Sequence, residues 1–251
     1  MSLFNSLGLE GRCAIVTGSA RGIGLAVARA LHAEGAKVLA VDIDGEALGN
    51  LQLESAAFPT EIADLSSPGE CRRVAKIAKE RFGNVHILVN VAGIVDRHDF
   101  ADLGHEDWQK LLDVNLTSQA FLCQAVVPQM LECRWGRIVN FSSIAAQQGG
   151  RVGTTAYSVS KGGTLSLTRS LARQLAEVGI TANAISPGIV NTRMITETLS
   201  KRQIEELKSS IPTGRVTEPE EIAAMTVLLC SDWGRSITGQ TIKINGGLFV
   251  S

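Results

Sequence analysis

The sequence predicts an α/β fold: a doubly wound parallel sheet of about seven strands, with helices on both faces. Three observations carry that reading. Short apolar or β-branched runs recur along the 251 residues, namely CAIV (13–16), KVLAV (37–41), HILVNV (86–91), RIVNF (137–141), TANAI (181–185) and TIKI (241–244). The segments between them are longer and carry helical spacing, as in Leu25, Ala28, Leu31 and His32 after the first run. The first run also feeds directly into a glycine-rich turn, VTGSARGIG (16–24). Strands that read as continuous apolar runs are buried on both faces, which calls for parallel strands covered by helices.

Taken in order, the second run closes on Asp42. A weaker strand, AFPTEI (57–62), follows, and Pro59 pushes it toward an edge because proline cannot donate to a ladder. Val74, Ile77, Ala78 and Phe82 then mark a helix ahead of the third run. The uncharged stretch Val114–Leu131 contains Asn115, Thr117, Ser118, Gln119, Gln124, Pro128 and Gln129. That is too polar for a membrane span and suits a buried or subunit-contacting helix. A further helix starts near Tyr157 and carries Leu165, Leu167, Leu171 and Leu175. Ser186–Thr217 lacks a clear strand, and its amphipathic run QIEELKSSI predicts a mobile lid over about 190–212, centred on Thr192–Ser210.

Composition excludes several function classes. The formal net charge is -1, with no lysine or arginine run, so neither nucleic acid nor a membrane surface is an expected partner. Five cysteines, Cys13, Cys71, Cys123, Cys133 and Cys230, are odd in number and never spaced C-x-x-C. They predict neither a disulfide framework nor a metal site, and fit a reducing compartment. The first residues, MSLFNSLGLEGRC, lack a positive segment leading into an apolar one, so a cytoplasmic location is expected.

A strand that ends in glycines and opens a helix gathers backbone N–H groups and the positive end of a helix dipole at one point, which suits phosphate. Gly18 allows the sharp exit from the strand, Gly22 lets a ligand reach the backbone beside Ile23, and Gly24 lets the helix pack on the sheet. Asp42 stands 18 residues beyond Gly24, near the offset at which a carboxylate accepts hydrogen bonds from an adenosine ribose. Each feature alone also fits plain turn chemistry, and Asp44 beside Asp42 favours that; together they point to a dinucleotide.

Tyr157 and Lys161 lie four residues apart in AYSVSKGG, on one face of a helix. VNFSS ends a strand with Ser142 and Ser143, and DVNLTS carries Asn115. With the turn at Thr17–Gly24, NVAG at Asn90–Gly93, SPGIVNTRM at Ser186–Met194, TGRVTEPEEIA and the terminal TGQTIKINGG, the chain resembles the short-chain dehydrogenase/reductase family over nearly its whole length.

The resemblance implies a single Rossmann-like NAD(P)-binding domain spanning 1–251. It also implies hydride exchange with a small secondary alcohol or ketone and no metal. Tyr157 would be the acid/base, Ser143 would hold the substrate oxygen, Lys161 would hold the nicotinamide ribose and, together with the positive oxidised nicotinamide, lower the Tyr157 pKa, and Asn115 would fix a water linking Lys161 to solvent. Asp64 and Leu65 match the adenine contact. Asn90, Ala92 and Gly93 would lie along the cofactor, while Pro187, Gly188, Val190 and Thr192 match the carboxamide contact. Two departures stand out: Val91 replaces an asparagine, and the interval from Ser143 to Tyr157 is one residue longer than the family's pattern.

Asp42 favours NAD over NADP, because a carboxylate repels a 2′-phosphate and accepts from a free hydroxyl; Arg21 is the feature that argues the other way. The alternatives are an NADPH-dependent carbonyl reductase acting on 3-oxoacyl thioesters, and a dinucleotide-binding protein without catalysis. The uncharged helices, whose counterparts in the resembled family pair across a two-fold axis, imply a homotetramer.

Overall fold

The computed structural model describes residues 6–54, 59–95, 97–150, 153–192 and 200–250. Its strands are β1 (Cys13–Thr17), β2 (Lys37–Asp42), β3 (Thr60–Ile62), β4 (Val85–Asn90), β5 (Gly136–Phe141), β6 (Ile180–Pro187) and β7 (Thr241–Ile244). Each falls on one of the seven expected runs. All pairs are parallel, and the order across the sheet is β3-β2-β1-β4-β5-β6-β7. β3 is an edge strand, as Pro59 predicts; the proline sits just outside it, and its carbonyl accepts the Ala40 N–H.

The order reverses between β1 and β4, and that position places the site. Chain leaving β1 travels one way across the sheet and chain leaving β4 the other, which opens a crevice at the carboxyl ends of these two strands. Strand pleating explains why both faces are apolar. Ala14 and Val16 enter a core with Val27, Leu31 and Ile222, while Cys13 and Ile15 enter a second core with Val74, Leu122 and Met130. α1 (Gly22–Ala33) thus supplies one face, and α3 (Pro68–Phe82) the other.

The remaining helices are α2 (Gly45–Glu54), α4 (His105–Leu112), α5 (Ser118–Cys133), α6 (Ala145–Gln148), α7 (Thr155–Leu175), α8 (Lys201–Ser209) and α9 (Pro219–Cys230). A π turn, Asp113–Thr117, joins α4 to α5. The amphipathic run after residue 200 is helical as expected, opening on a capping box between Ser200 and Gln203. Of the expected lid, 193–199 lie outside the described residues, Met194 among them. No helix among the described residues is long and apolar enough to cross a membrane, and all five cysteines are free thiols.

A polar thread runs through the core beneath the crevice. Asn90 Nδ2 donates to Asn140 Oδ1 at 2.9 Å, Asn140 Nδ2 to Thr168 Oγ1 at 3.0 Å, and Thr168 Oγ1 to the Thr164 carbonyl at 2.8 Å. It fastens α7 across β4 and β5, and every link is buried. Asn140→Ala strips partners from both neighbours, so its expected cost is about 2–4 kcal/mol. In thermal unfolding this corresponds to a Tm lower by roughly 5–15 °C.

Candidate active site

Thr17 ends β1, and its hydroxyl oxygen accepts the backbone N–H groups of Val91 (3.1 Å) and Ala92 (3.0 Å) just beyond β4. The two chain segments approach so closely that a Cβ on Gly18 would lie 3.0 Å from the Ala92 backbone, and Gly18 also has a positive φ of 67°. A Cβ on Gly24 would come within 2.0 Å of the Gly18 carbonyl oxygen. These glycines therefore set how tightly the turn folds over the end of the sheet. The first turn of α1 carries no acidic side chain and no side-chain cap, leaving its N–H groups to the crevice.

The crevice has two lobes that share Gly18, Arg21 and Gly93. One, of about 940 Å³, runs from Gly22, Ile23 and Gly24 to Ser143, Tyr157, Lys161 and the segment Pro187, Gly188, Val190 and Thr192. The other, of about 1030 Å³, runs past Asp42 to Asp64, Leu65 and α4. An elongated cleft with uncapped helix N–H groups, glycines where side chains would intrude, and a carboxylate at its far end suits a dinucleotide.

Asp42 is fixed by the glycine turn and by the turn that follows β2. Its Oδ2 accepts the Ala20 N–H at 3.0 Å, and its Oδ1 accepts the Asp44 N–H at 3.1 Å. Arg21 pairs with Asp44 rather than Asp42.

At the other end, α7 presents Tyr157 and Lys161 on one face, with the Lys161 ammonium 5.9 Å from the tyrosine ring centre. Lys161 is 4% exposed and donates to the Phe141 carbonyl at 2.9 Å. Burial disfavours its charge and pushes its pKa down to about 8. Burial also raises the pKa of Tyr157, and a hydrogen bond with Ser143 works against that rise. In the chain alone, without the positive charge of an oxidised nicotinamide, burial is the larger influence on the phenol. Within the chain, desolvation of the phenol outweighs what lowers it, and that lowering comes from Ser143.

The π turn carries Asn115 into the interior. Its Oδ1 accepts the Ile94 N–H at 2.8 Å, and its Nδ2 donates to the Ile94 carbonyl at 2.9 Å and to Ser160 Oγ at 3.1 Å. A Cβ on Gly93 would lie 3.0 Å from Asn115 Oδ1 and 3.2 Å from Lys161 Nζ. Gly93 is thus the spacer that keeps both side chains in place.

Known proteins match this architecture along the whole chain. A family profile described as Enoyl-(Acyl carrier protein) reductase covers residues 18–249. The 3-oxoacyl-(acyl-carrier-protein) reductase FabG of Thermotoga maritima is 37% identical over 246 residues, covering 96% of this chain and 99% of that protein. The chain belongs to the short-chain dehydrogenase/reductase family. Nodulation protein G of a Rhizobium species is 36% identical over 244 residues, spanning 96% of this chain and 98% of its own. A crystal structure provisionally assigned as a gluconate dehydrogenase of Agrobacterium tumefaciens superimposes with a TM-score of 0.91 at 32% identity, covering 96% of this chain and 97% of its own. As a member of this dehydrogenase/reductase family, the protein is an oxidoreductase acting on CH–OH or keto groups with a nicotinamide cofactor.

Nearly all the residues expected at a short-chain dehydrogenase site line the two lobes, Ala92 included. Asn115 stands behind them, buried against Ser160. Asn90 is not among the residues lining the lobes. At the end of β4 its side chain turns into the core toward Asn140 and Cys123, because the pleat aims it away from the cleft. Sequence reasoning missed the Thr17 hydroxyl, the Phe141 carbonyl that holds Lys161, and the α4 side chains His105 and Lys110 at the edge of the second lobe. A main-chain acceptor has no sequence signal; Ser160, one residue before Lys161, was visible in AYSVSKGG as a neighbour of the pair.

Gly18→Ala tests the close approach of β1 to β4. The variant is expected to fold and to bind NADH at least tenfold more weakly, a change readable by fluorescence titration, since both its φ and its clearance from Ala92 must relax.

Proposed function

We propose that the protein is an NAD-dependent oxidoreductase interconverting a small secondary alcohol and its ketone, with Tyr157 as acid/base. The arrangement of Tyr157 against Ser143, with Lys161 buried beside them at the mouth of a glycine-lined cleft, carries the reading. The nicotinamide, when bound, supplies hydride exchange. In alcohol oxidation Tyr157 Oη takes the hydroxyl proton while Ser143 Oγ holds the substrate oxygen; in ketone reduction Tyr157 returns that proton. Lys161 favours the phenolate electrostatically while it is charged, below about pH 8. Asn115 fixes the Ile94 backbone and Ser160 behind that pair. Gly18, Gly22, Ile23 and Gly24 would hold the pyrophosphate, Asp42 the adenosine ribose, Asp64 and Leu65 the adenine, and Pro187 to Thr192 the carboxamide.

The reading extends to a homotetramer in the cytoplasm, supported by α5 and α7, which leave Leu131 and Val159 partly exposed, and by the free cysteines. A second reading, an NADPH-dependent reductase of 3-oxoacyl thioesters, is favoured by the names of the relatives. A panel of secondary alcohols, ketones and 3-oxoacyl thioesters with NAD(H) and NADP(H), read at the reduced-nicotinamide band, separates the two.

Tyr157→Phe is expected to bind cofactor normally and to lose about 10²–10⁴ in kcat. Alcohol oxidation by the unmodified protein should rise with pH, since the phenolate is the base and burial holds the phenol protonated. Ser143→Ala removes a bond that favours the phenolate, so the rise moves to higher pH. An unmoved profile refutes the coupling. For the cofactor, kcat/KM is expected to favour NAD by about one to three decades, from roughly 1–4 kcal/mol of repulsion between Asp42 and a 2′-phosphate. A preference for NADP overturns the NAD reading.

A further inference from the structure

Arg21 is the one cation of the glycine turn, and its orientation is set by a residue outside the expected site. Asp44 follows β2 by two positions and stands immediately before α2. Its Oδ1 accepts the Ala47 N–H at 3.0 Å, capping the helix, and its Oδ2 pairs with Arg21 Nη2. The Asp44 backbone N–H is in turn held by Asp42 Oδ1 at 3.1 Å. One carboxylate thus caps a helix, is anchored to the carboxylate expected at the ribose, and holds the guanidinium, all along the rim shared by the two lobes.

We propose that Asp44 is a specificity-determining residue of the dinucleotide site, one that excludes a 2′-phosphate by keeping Arg21 engaged. This rests on the proposal that the cleft binds a nicotinamide dinucleotide with its adenosine ribose at Asp42. A phosphate placed there meets two carboxylates, and the arginine that would neutralise it is already paired. Both effects act only on ligands that carry the phosphate, because a free 2′-hydroxyl asks nothing of Arg21. The pair is partly exposed, with side-chain exposures of 59% for Arg21 and 33% for Asp44, so its rupture alone changes affinity by only a few-fold. Removing the Asp44 charge as well should bring the total to about five- to thirtyfold.

The test is Asp44→Asn, which keeps a capping oxygen for Ala47 while discarding the charge. NADH and NADPH, which differ only in the 2′-phosphate, are titrated by nicotinamide fluorescence against the parent, Asp44→Asn, Arg21→Gln and the double variant. The expected result is NADPH binding tightened by about five- to thirtyfold in Asp44→Asn, NADH within twofold, and most of the gain lost in the double variant. Asp44→Ser, which also keeps a cap, should behave the same and serves if the asparagine variant does not fold. Unchanged NADPH affinity overturns the proposal, as does an equal shift for both ligands, which marks a merely structural role. A gain that survives intact in the double variant overturns the part played by Arg21. The parent's own preference between NADH and NADPH tests the NAD reading separately, since the proposal concerns only the change on removing Asp44.

Discussion

A single hydroxyl closes the top of the sheet. Thr17 Oγ1 accepts two successive N–H groups from the chain leaving β4, at the point where the strand order reverses. Without it, two partly buried donors lose their partner, at a cost of about 1 kcal/mol each. With it, β1 and β4 exit side by side, the turn through Gly18 lies against Ala92, and α1 starts with its N–H groups facing the space between. The floor of the cleft, the spacing of its lobes and the position of Gly93 all follow from that short distance.

Lys161 poses the opposite problem. An ammonium at 4% exposure gives up most of its hydration, and one main-chain carbonyl returns only part of it. The side chain could point there only because the residues around it are themselves immobilised: Asn115 by Ile94 and Ser160, and Ser142 by its donation to the Lys161 carbonyl at 2.7 Å. A charge kept under such pressure is a sensitive one, since any further positive group nearby favours its loss and any anion favours its retention.

The strands were legible because in a parallel sheet each is apolar on both faces, and a run such as KVLAVD announces itself without any partner. Tyr157 and Lys161 were legible because four residues on a helix amount to slightly more than a full turn. The inward direction of the Asn90 side chain was not legible, since a motif records which residue occurs, whereas the pleat decides which way it faces. The burial of the phenol was not legible for a related reason: a nearby charge can be inferred from sequence spacing, but desolvation depends on everything else packed around the ring. The Arg21–Asp44 pair was hidden too, because 23 residues and a whole strand separate its members.

The π turn at Asp113–Thr117 ties helix regularity to the interior. A π turn is an α-helix carrying one residue too many, and such an excess is ordinarily a burden on helix stability. Here the surplus residue turns Asn115 inward; in a regular helix, a deletion beside it would swing the side chain by about 100° relative to one of its flanks. A shorter, better helix and a working interior are therefore incompatible outcomes of the same edit.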